Sequence, residues 1–537
     1  MGRHTYLALL GLLVAAPAAA QEDPDARFRE LQQRQGDLEH KLKLLQDREN
    51  ARAAQPPQQQ PPPVEADGQI PDALAPLAGY SEKNFFVRDR DSWFVLIPKG
   101  RINVDWYNFL NRPSNPPAGV VSNSAADPRS SLRDTVFLRR ARLGFSGTFA
   151  RHVDFRIEAE FASLATPGQY ATLTDASIVL NWWSFLKVEA GQFYAPFTIE
   201  NMTSENYSDF MERSSAVRFA VPNTREVGGM LFGELPRKAA RYWVGVFNGD
   251  GQNNKNLDNR PAVIGRAYFA PLALLPHPAR WLEEIWVGGS FWWQQSTNVG
   301  GGSAPSTTGV AAGDLGGVTT QGGFALFSSN YGNGTDLLKN PIRTHLAPDG
   351  TTLKYAFEAN LPLPRRLGLR AEYTHQSIDF RQYQDTTLGR TAGAAGNLTG
   401  YSAYVEAYAW IGGDVGEDHP GLYHPPHWSG YQPSRKPTWA LQLAVKYEHV
   451  DLDITGLPGT TNAGGTTVAD PAAGHYSLDV FEAGASLYFT RHTRLIANYV
   501  INYIGRQDDS SGAGLERKNL FWLRAEHELL FRLAVAL

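Results

Sequence analysis

VDFRIEAEF, residues 153–161, places Val153, Phe155, Ile157, Ala159 and Phe161 at alternate positions, with Asp154, Arg156, Glu158 and Glu160 between them. One side is wholly apolar and the other wholly charged. A repeat of two is the repeat of a strand, whose successive side chains leave opposite faces of the sheet. The same division recurs in RINVDWYNF (101–109), where Ile102, Val104 and Trp106 alternate with Arg101, Asn103 and Asp105. At the C-terminus Leu529, Phe531, Leu533, Val535 and Leu537 alternate with Glu528, Leu530, Arg532, Ala534 and Ala536. LKVEAGQF (186–193), LGLRAEYTHQSIDF (367–380), WALQLAVKYEHVDLD (439–453) and TRLIANYVINYIG (493–505) repeat the theme. These are strands with one dry and one wet side.

In a soluble sandwich the dry sides would face a second sheet. Three features favour lipid instead. Charged faces persist at the ends of the chain as well as in its middle. Gly/Ser/Thr/Asn-rich stretches (297–325, 456–472) alternate with tight connections such as GTFARHVDF (147–155), the loop asymmetry of outer-membrane barrels. The last strand runs to the final residue, as closure against the first strand requires. The composition agrees: the 537 residues hold no cysteine, 51 glycines and 12% aromatics, and no stretch after the N-terminus is apolar enough for a membrane helix. The expected fold is all-β, an antiparallel transmembrane barrel of about 16 strands, preceded by a short helical coiled-coil segment. The net charge of −4 points to no particular partner, and nothing indicates nucleic-acid binding.

Ahead of the barrel lie three segments of other character. Residues 1–20 pair a basic start with an apolar run ending Ala18-Ala19-Ala20, the pattern of a signal peptide cut before Gln21. Residues 26–50 carry Leu31, Leu38 and Leu45 at seven-residue spacing, a short heptad stripe. Residues 51–80 are rich in Pro and Gln and read as an extended linker. The barrel domain is expected over 84–537, in a bacterial outer membrane reached by export.

Several long motifs, in order, resemble the phosphate-selective (O/P-type) outer-membrane porin family: KGRINVDWYNF (99–109), VFLRRARLGFSGTFARHVDFRIEAEF (136–161), VEAGQFYAPFTIENMTSENYSDFMERS (188–214), REVGGMLFG (225–233), YWVGVFNGDG (242–251), and finally RLIANYV (494–500) and LLFRLAVAL (529–537). The resemblance implies a trimer of 16-stranded barrels, each pore narrowed by an inward-folded loop and lined by arginines that pass anions to a central lysine-containing site. Carried over by position, the path arginines are Arg101, Arg139, Arg140 and Arg213, and the central-site serine is Ser204 in NMTSEN. This chain has Asn201 where the phosphate-specific members carry the lysine, and Leu537 where members commonly end in Phe. The inward loop is expected over 198–215, and its Glu200, Glu205, Asp209 and Glu212 make it acidic.

Arginine suits an oxyanion path because its planar fork donates two parallel bonds and never loses its charge. Arg101 falls on the wet side of its strand, and Arg140 and Arg142 on that of theirs. Arg139 does not: strict alternation points it to lipid, at a cost of about 2–4 kcal/mol at mid-bilayer. Either it lies near the rim or a β-bulge turns it inward. Arg156 and Arg524 read as wall charges paired with neighbouring carboxylates. His419, His424 and His427 in EDHPGLYHPPHW match no standard metal spacing and read as an ordinary loop. No nucleophile–base motif, phosphate-loop lysine or cofactor fingerprint is present, so no enzyme activity, metal or cofactor is expected. The expected function is a porin passing small solutes with a modest preference for anions such as phosphate. A non-selective porin of the same fold, and a structural barrel tethered to the cell wall through its N-terminal helix, remain as alternatives.

Overall fold

The structure is a computed structural model. It describes residues 77–111, 134–162, 171–297, 315–412, 439–507 and 525–536, apart from 82–83, 222–223, 257, 316, 323–324, 336–340, 364–365, 387–388, 462–466, 469, 471 and 491. The signal-peptide, coiled-coil and most of the linker assignments, the histidines of 413–438 and Arg524 lie outside the described residues.

Sixteen antiparallel strands close into a barrel. They are β1 (Phe94–Asn111), β2 (Thr135–Phe149), β3 (Val153–Glu160), β4 (Thr172–Leu180), β5 (Lys187–Tyr194), β6 (Arg225–Glu234), β7 (Ala240–Phe247), β8 (Ala262–Phe269), β9 (Trp286–Ser296), β10 (Pro341–Leu363), β11 (Leu367–Thr386), β12 (Gly389–Gly412), β13 (Ala440–Thr455), β14 (Gly474–Thr490), β15 (Thr493–Gln507) and β16 (Glu526–Ala536). Each pairs with its neighbours in sequence. The ring closes where β16 meets β1, with Arg532 opposite Asp105 and Leu533 opposite Val104. The C-terminal alternation is thus the seam of the barrel, and closure leaves no open edge. A hairpin, Ala78–Ser81 with Asn84–Arg88, precedes β1 and adds Val87 and Arg88 against Leu96 and Val95. Ordered pairing therefore begins inside the stretch read as linker, because Gly79 and Ala78 find partners in Phe86 and Val87.

The faces are assigned as a membrane demands. Ile102, Ile157 and Phe161 are exposed (55%, 50% and 49%), whereas Arg101, Asn103, Asp105, Glu158, Glu160 and Arg532 are buried in the lumen. Apolar groups point out and charges point in, the reverse of a soluble protein, so the outer wall needs a lipid solvent. Tight turns gather at one end: Ala150 and Arg151, at φ 52° and 63°, turn β2 into β3. Trp93, Phe149, Trp182, Trp183 and Phe185 are exposed around that end. Farther along the strands Tyr355, Tyr373 and Tyr401 form an outward row, with ring centroids 6.5 and 6.2 Å apart. Two aromatic belts thus border the apolar band.

Beyond the tyrosine row the faces exchange polarity. On β13, Asp451 and Asp453 point outward while Val450, Leu452 and Ile454 are buried inside, and on β11 Ile378 and Phe380 are buried while Asp379 is outward. Strict partition into one dry and one wet side holds only within the membrane band. Past it, water bathes the outer surface and the inner surface packs on chain folded into the barrel.

Candidate permeation site

Among the described residues, two segments fold into the lumen. The first joins β5 to β6 and contains α1 (Ile199–Met202) and α2 (Ser215–Ala220). Each short helix starts on a hydroxyl cap: Thr198 accepts from the Asn201 amide, and Ser214 from that of Val217. The Glu200 carboxylate ties the two together, accepting from the Ser214 amide at 3.0 Å and the Ser214 hydroxyl at 2.5 Å. The loop is therefore closed on itself before it meets the walls.

It meets them on several sides. Glu212 receives four donors: Arg139 Nε at 3.0 Å and Nη2 at 2.8 Å, Tyr107 Oη at 3.1 Å and Arg532 Nη2 at 3.0 Å. Arg532 also forks onto Asp105, with both bonds at 2.7 Å. Glu205 takes both arms of Arg140, at 2.9 and 2.8 Å, and lies 3.5 Å from Arg213 and 3.7 Å from Arg101. Arg494 donates to the Ser208 and Glu205 carbonyls at 2.8 and 2.6 Å. On the opposite wall Asp209 binds Arg370 and Gln442, the Ala216 amide donates to Glu448 at 2.6 Å, and Lys354 donates to the Ala220 carbonyl at 2.7 Å. A segment held by β1, β2, β10, β11, β13, β15 and β16 crosses the lumen as a diaphragm.

The loop carboxylates take their charge state from these contacts. Burial pushes the Glu212 carboxyl up, but Arg139 and then Arg532 overcome it and hold it at about 2. Burial likewise opposes ionisation of Glu205, and Arg140 pulls it well below the usual glutamate range. Both remain anionic at neutral pH.

The sequence-derived site residues fall into three groups. Arg101 and Ser204 meet, Nη2 donating to Oγ at 2.8 Å. Arg139, Arg140 and Arg213 fasten the loop; Arg213 also donates to the Glu200 and Thr203 carbonyls at 3.1 and 2.8 Å. Arg139 reaches the lumen through a bulge: Asn103 lies opposite Arg140 and Val104 opposite Leu138, so Arg139 is the extra residue. Asn201 is fully buried, and its amide nitrogen donates to the Ala195 and Thr224 carbonyls at 2.9 and 3.3 Å, across the base of the loop. Arg156 is a wall charge, 3.4 Å from both Glu158 and Asp175.

Beside Arg101 and Ser204 the loop leaves a cavity of about 400 Å³. Lys99, Arg101, Arg156 and Arg494 bring positive charge to its wall, and Glu158 is the carboxylate among the lining residues. Sequence reasoning missed Arg494 and Arg532. Both stood in wet positions of alternating strands, but sequence alone does not say which lumen charges lie at the height of the loop.

The second inward segment comprises the described residues between 315 and 329. Leu315 and Ser329 bond Leu346 on β10, while Thr320 reaches Glu526 on β16 at 3.3 Å and Gln321 reaches Glu482 on β14 at 2.9 Å. Arg218 of α2 donates to the Thr319 carbonyl at 2.9 Å. Phe327 packs on Phe219 and Tyr476, within a cluster that includes Leu346, Phe380, Leu452 and Leu478. This strap is what fills the apolar inner face beyond the tyrosine row. Among the described residues, Asp451, Asp453 and His475 bring possible metal donors within 4.8 Å of one another, but on the outer face and in mutual ion pairs, His475 to Asp453 at 2.9 Å and to Asp451 at 3.3 Å.

The chain is similar in structure to a loop-deletion mutant of OmpT, an outer membrane protein of Vibrio cholerae, at 10% identity over 83% of this chain and 100% of that chain, with a TM-score of 0.44. It is similar to the outer membrane channel DcaP of Acinetobacter baumannii at 10% identity over 86% and 99%, TM-score 0.43. It is also similar to an anion-selective porin from Comamonas acidovorans at 10% identity over 83% and 100%, TM-score 0.41. No curated protein sequence matches the chain. Residues 126–275, which carry the Arg139–Arg140 bulge and the whole first inward loop, match the model for phosphate-selective porin O and P, a family of outer-membrane channels and not of enzymes. Over this segment the chain is similar to the phosphate-selective porin O and P family.

Proposed function

We propose that this outer-membrane porin passes small solutes by diffusion with a modest preference for anions such as phosphate. The observation that carries the reading is the cavity beside the loop, whose lining includes Lys99, Arg101, Arg156 and Arg494 and one carboxylate, Glu158. A pore must attract an ion without trapping it. Arg101, bonded to Ser204 at 2.8 Å, supplies fixed charge beside a neutral hydroxyl, and the neighbouring cations offer successive shallow sites. The preference is modest because Glu205 and Glu212 neutralise Arg139, Arg140 and Arg213, and because no lysine stands at 201. Planar-bilayer recordings of the full chain in a potassium chloride gradient test it: the reversal potential should lie on the anion side of zero, and a cation-side value overturns the reading.

A non-selective pore is the second reading, favoured by those same loop ion pairs. In either case the proposal includes a homotrimer, with residues 26–50 supporting it or reaching the cell wall. Deleting 21–75 should leave a folded, heat-modifiable barrel with weakened trimers.

A further inference from the structure

The cavity beside the loop offers more than a bare oxyanion uses. Its volume of about 400 Å³ lies in the range of roughly 300–1,000 Å³ typical of sites that enclose ligands with a carbon skeleton. Its wall has two characters. Lys99, Arg101, Arg156 and Arg494 bring charge, while Tyr207, Tyr488, Ala534 and Ala536 bring rings and methyl groups. The two meet at Arg494, which donates to the Tyr488 hydroxyl at 3.2 Å and sits with its guanidinium carbon 5.8 Å from that ring's centroid. Tyr207 comes from the inward loop itself, whose backbone Arg494 fixes through Ser208 and Glu205.

Inorganic phosphate carries oxygen on every side and wants donors on every side. Ring faces and methyl groups offer none, so contact with that half of the wall would strip water from the ion without replacement. A flat organic acid matches both halves. Its carboxylate takes an arginine fork, and its ring lies against tyrosine, which favours offset or edge-on aromatic contact. We propose that the cavity binds small aromatic carboxylates in preference to inorganic phosphate, a proposal that rests on the anion preference of the pore.

The test uses the full chain in planar bilayers, with sodium benzoate, sodium phosphate and neutral benzyl alcohol as probes of the chloride current. Benzoate should half-block at a concentration about tenfold below that of phosphate, and benzyl alcohol should not block over the same range. Tyr207→Ser should raise the half-blocking concentration of benzoate about fivefold, and Tyr207→Phe should keep it near wild type. Heat-modifiable migration on gels confirms that each variant is folded. Phosphate blocking as well as benzoate, benzyl alcohol blocking as well as benzoate, or an unchanged benzoate block in Tyr207→Ser each overturns the proposal. An anion-side reversal potential with any of these results sinks this inference alone. A cation-side reversal potential in potassium chloride sinks the anion reading as well.

Discussion

Arg139 and Glu212 form a two-bond ion pair inside the barrel, Nε to Oε1 at 3.0 Å and Nη2 to Oε2 at 2.8 Å. The pair exists because a bulge inserts Arg139 into β2 without a partner on β1. A residue that strict alternation would send into lipid is instead the anchor of the inward loop. Glu212→Gln keeps the shape and removes the charge that Arg139, Arg532 and Tyr107 share. Breaking a buried pair from one side costs about 3–5 kcal/mol. The variant should migrate as folded barrel at room temperature, lose that form at lower temperature than wild type, and shift the reversal potential towards anions.

The same contacts predict the acid response. Glu212 is held at about 2 against an ordinary 4.5, and Glu205 well below its ordinary value. A depressed carboxylate contributes stability above the ordinary value and loses it as pH falls towards the folded one. The Glu205 and Glu212 contacts should therefore hold above pH 4.5 and be lost progressively below it, so that conductance changes there as this side of the loop lets go. Single-channel recordings across that span check it. No change on acidification below 4.5 would contradict the assignment.

Replacing Arg140 and Arg213 together by Ala leaves Glu205, which now holds both arms of Arg140 and lies 3.5 Å from Arg213, without its main partners. The reversal potential should move towards cations. An unchanged value would remove these arginines from ion selection.

Asn201→Lys should not create a phosphate site. Position 201 is enclosed, and its amide joins the Ala195 and Thr224 carbonyls. A lysine there must bury a charge or leave the base of the loop, either of which costs about 2–4 kcal/mol. Phosphate block should be no stronger than in wild type, and open-channel noise should rise. A clearly stronger block would show that this position borders the solute path.

A Cβ at Gly322 would lie 2.4 Å from the Phe109 ring and 3.0 Å from the Glu528 carboxyl carbon. Gly322→Val should lift the strap from β16 and β1 and raise single-channel conductance. Unchanged conductance would mean that the strap does not narrow the outer mouth.

Sequence alone determined the strands, their membrane-facing side and the existence of a lumen full of charge. Period-two alternation in 153–161 and 101–109 is a local property, and local properties survive without knowing the fold. The motifs from 136 to 251 likewise located the inward loop, and the conflict at Arg139 already named a bulge as one of two answers. Tertiary structure decided the rest. Which charges meet depends on strand stagger around a closed ring, so Arg532 at the C-terminus could be joined to Asp105 and Glu212 only by closure. Asn201 looked like a lumen residue from its motif, and only the path of the backbone turned its amide into the base of the loop. The Gly- and Thr-rich stretch near 320 reads as an outer loop because glycine and threonine mark no destination. Its fold into the barrel follows from Phe327, Phe219 and Leu452 finding one another inside. That same packing reverses the faces of β13 past Val450, since a side chain is dry or wet according to what the chain brings opposite it, and period alone does not carry that information.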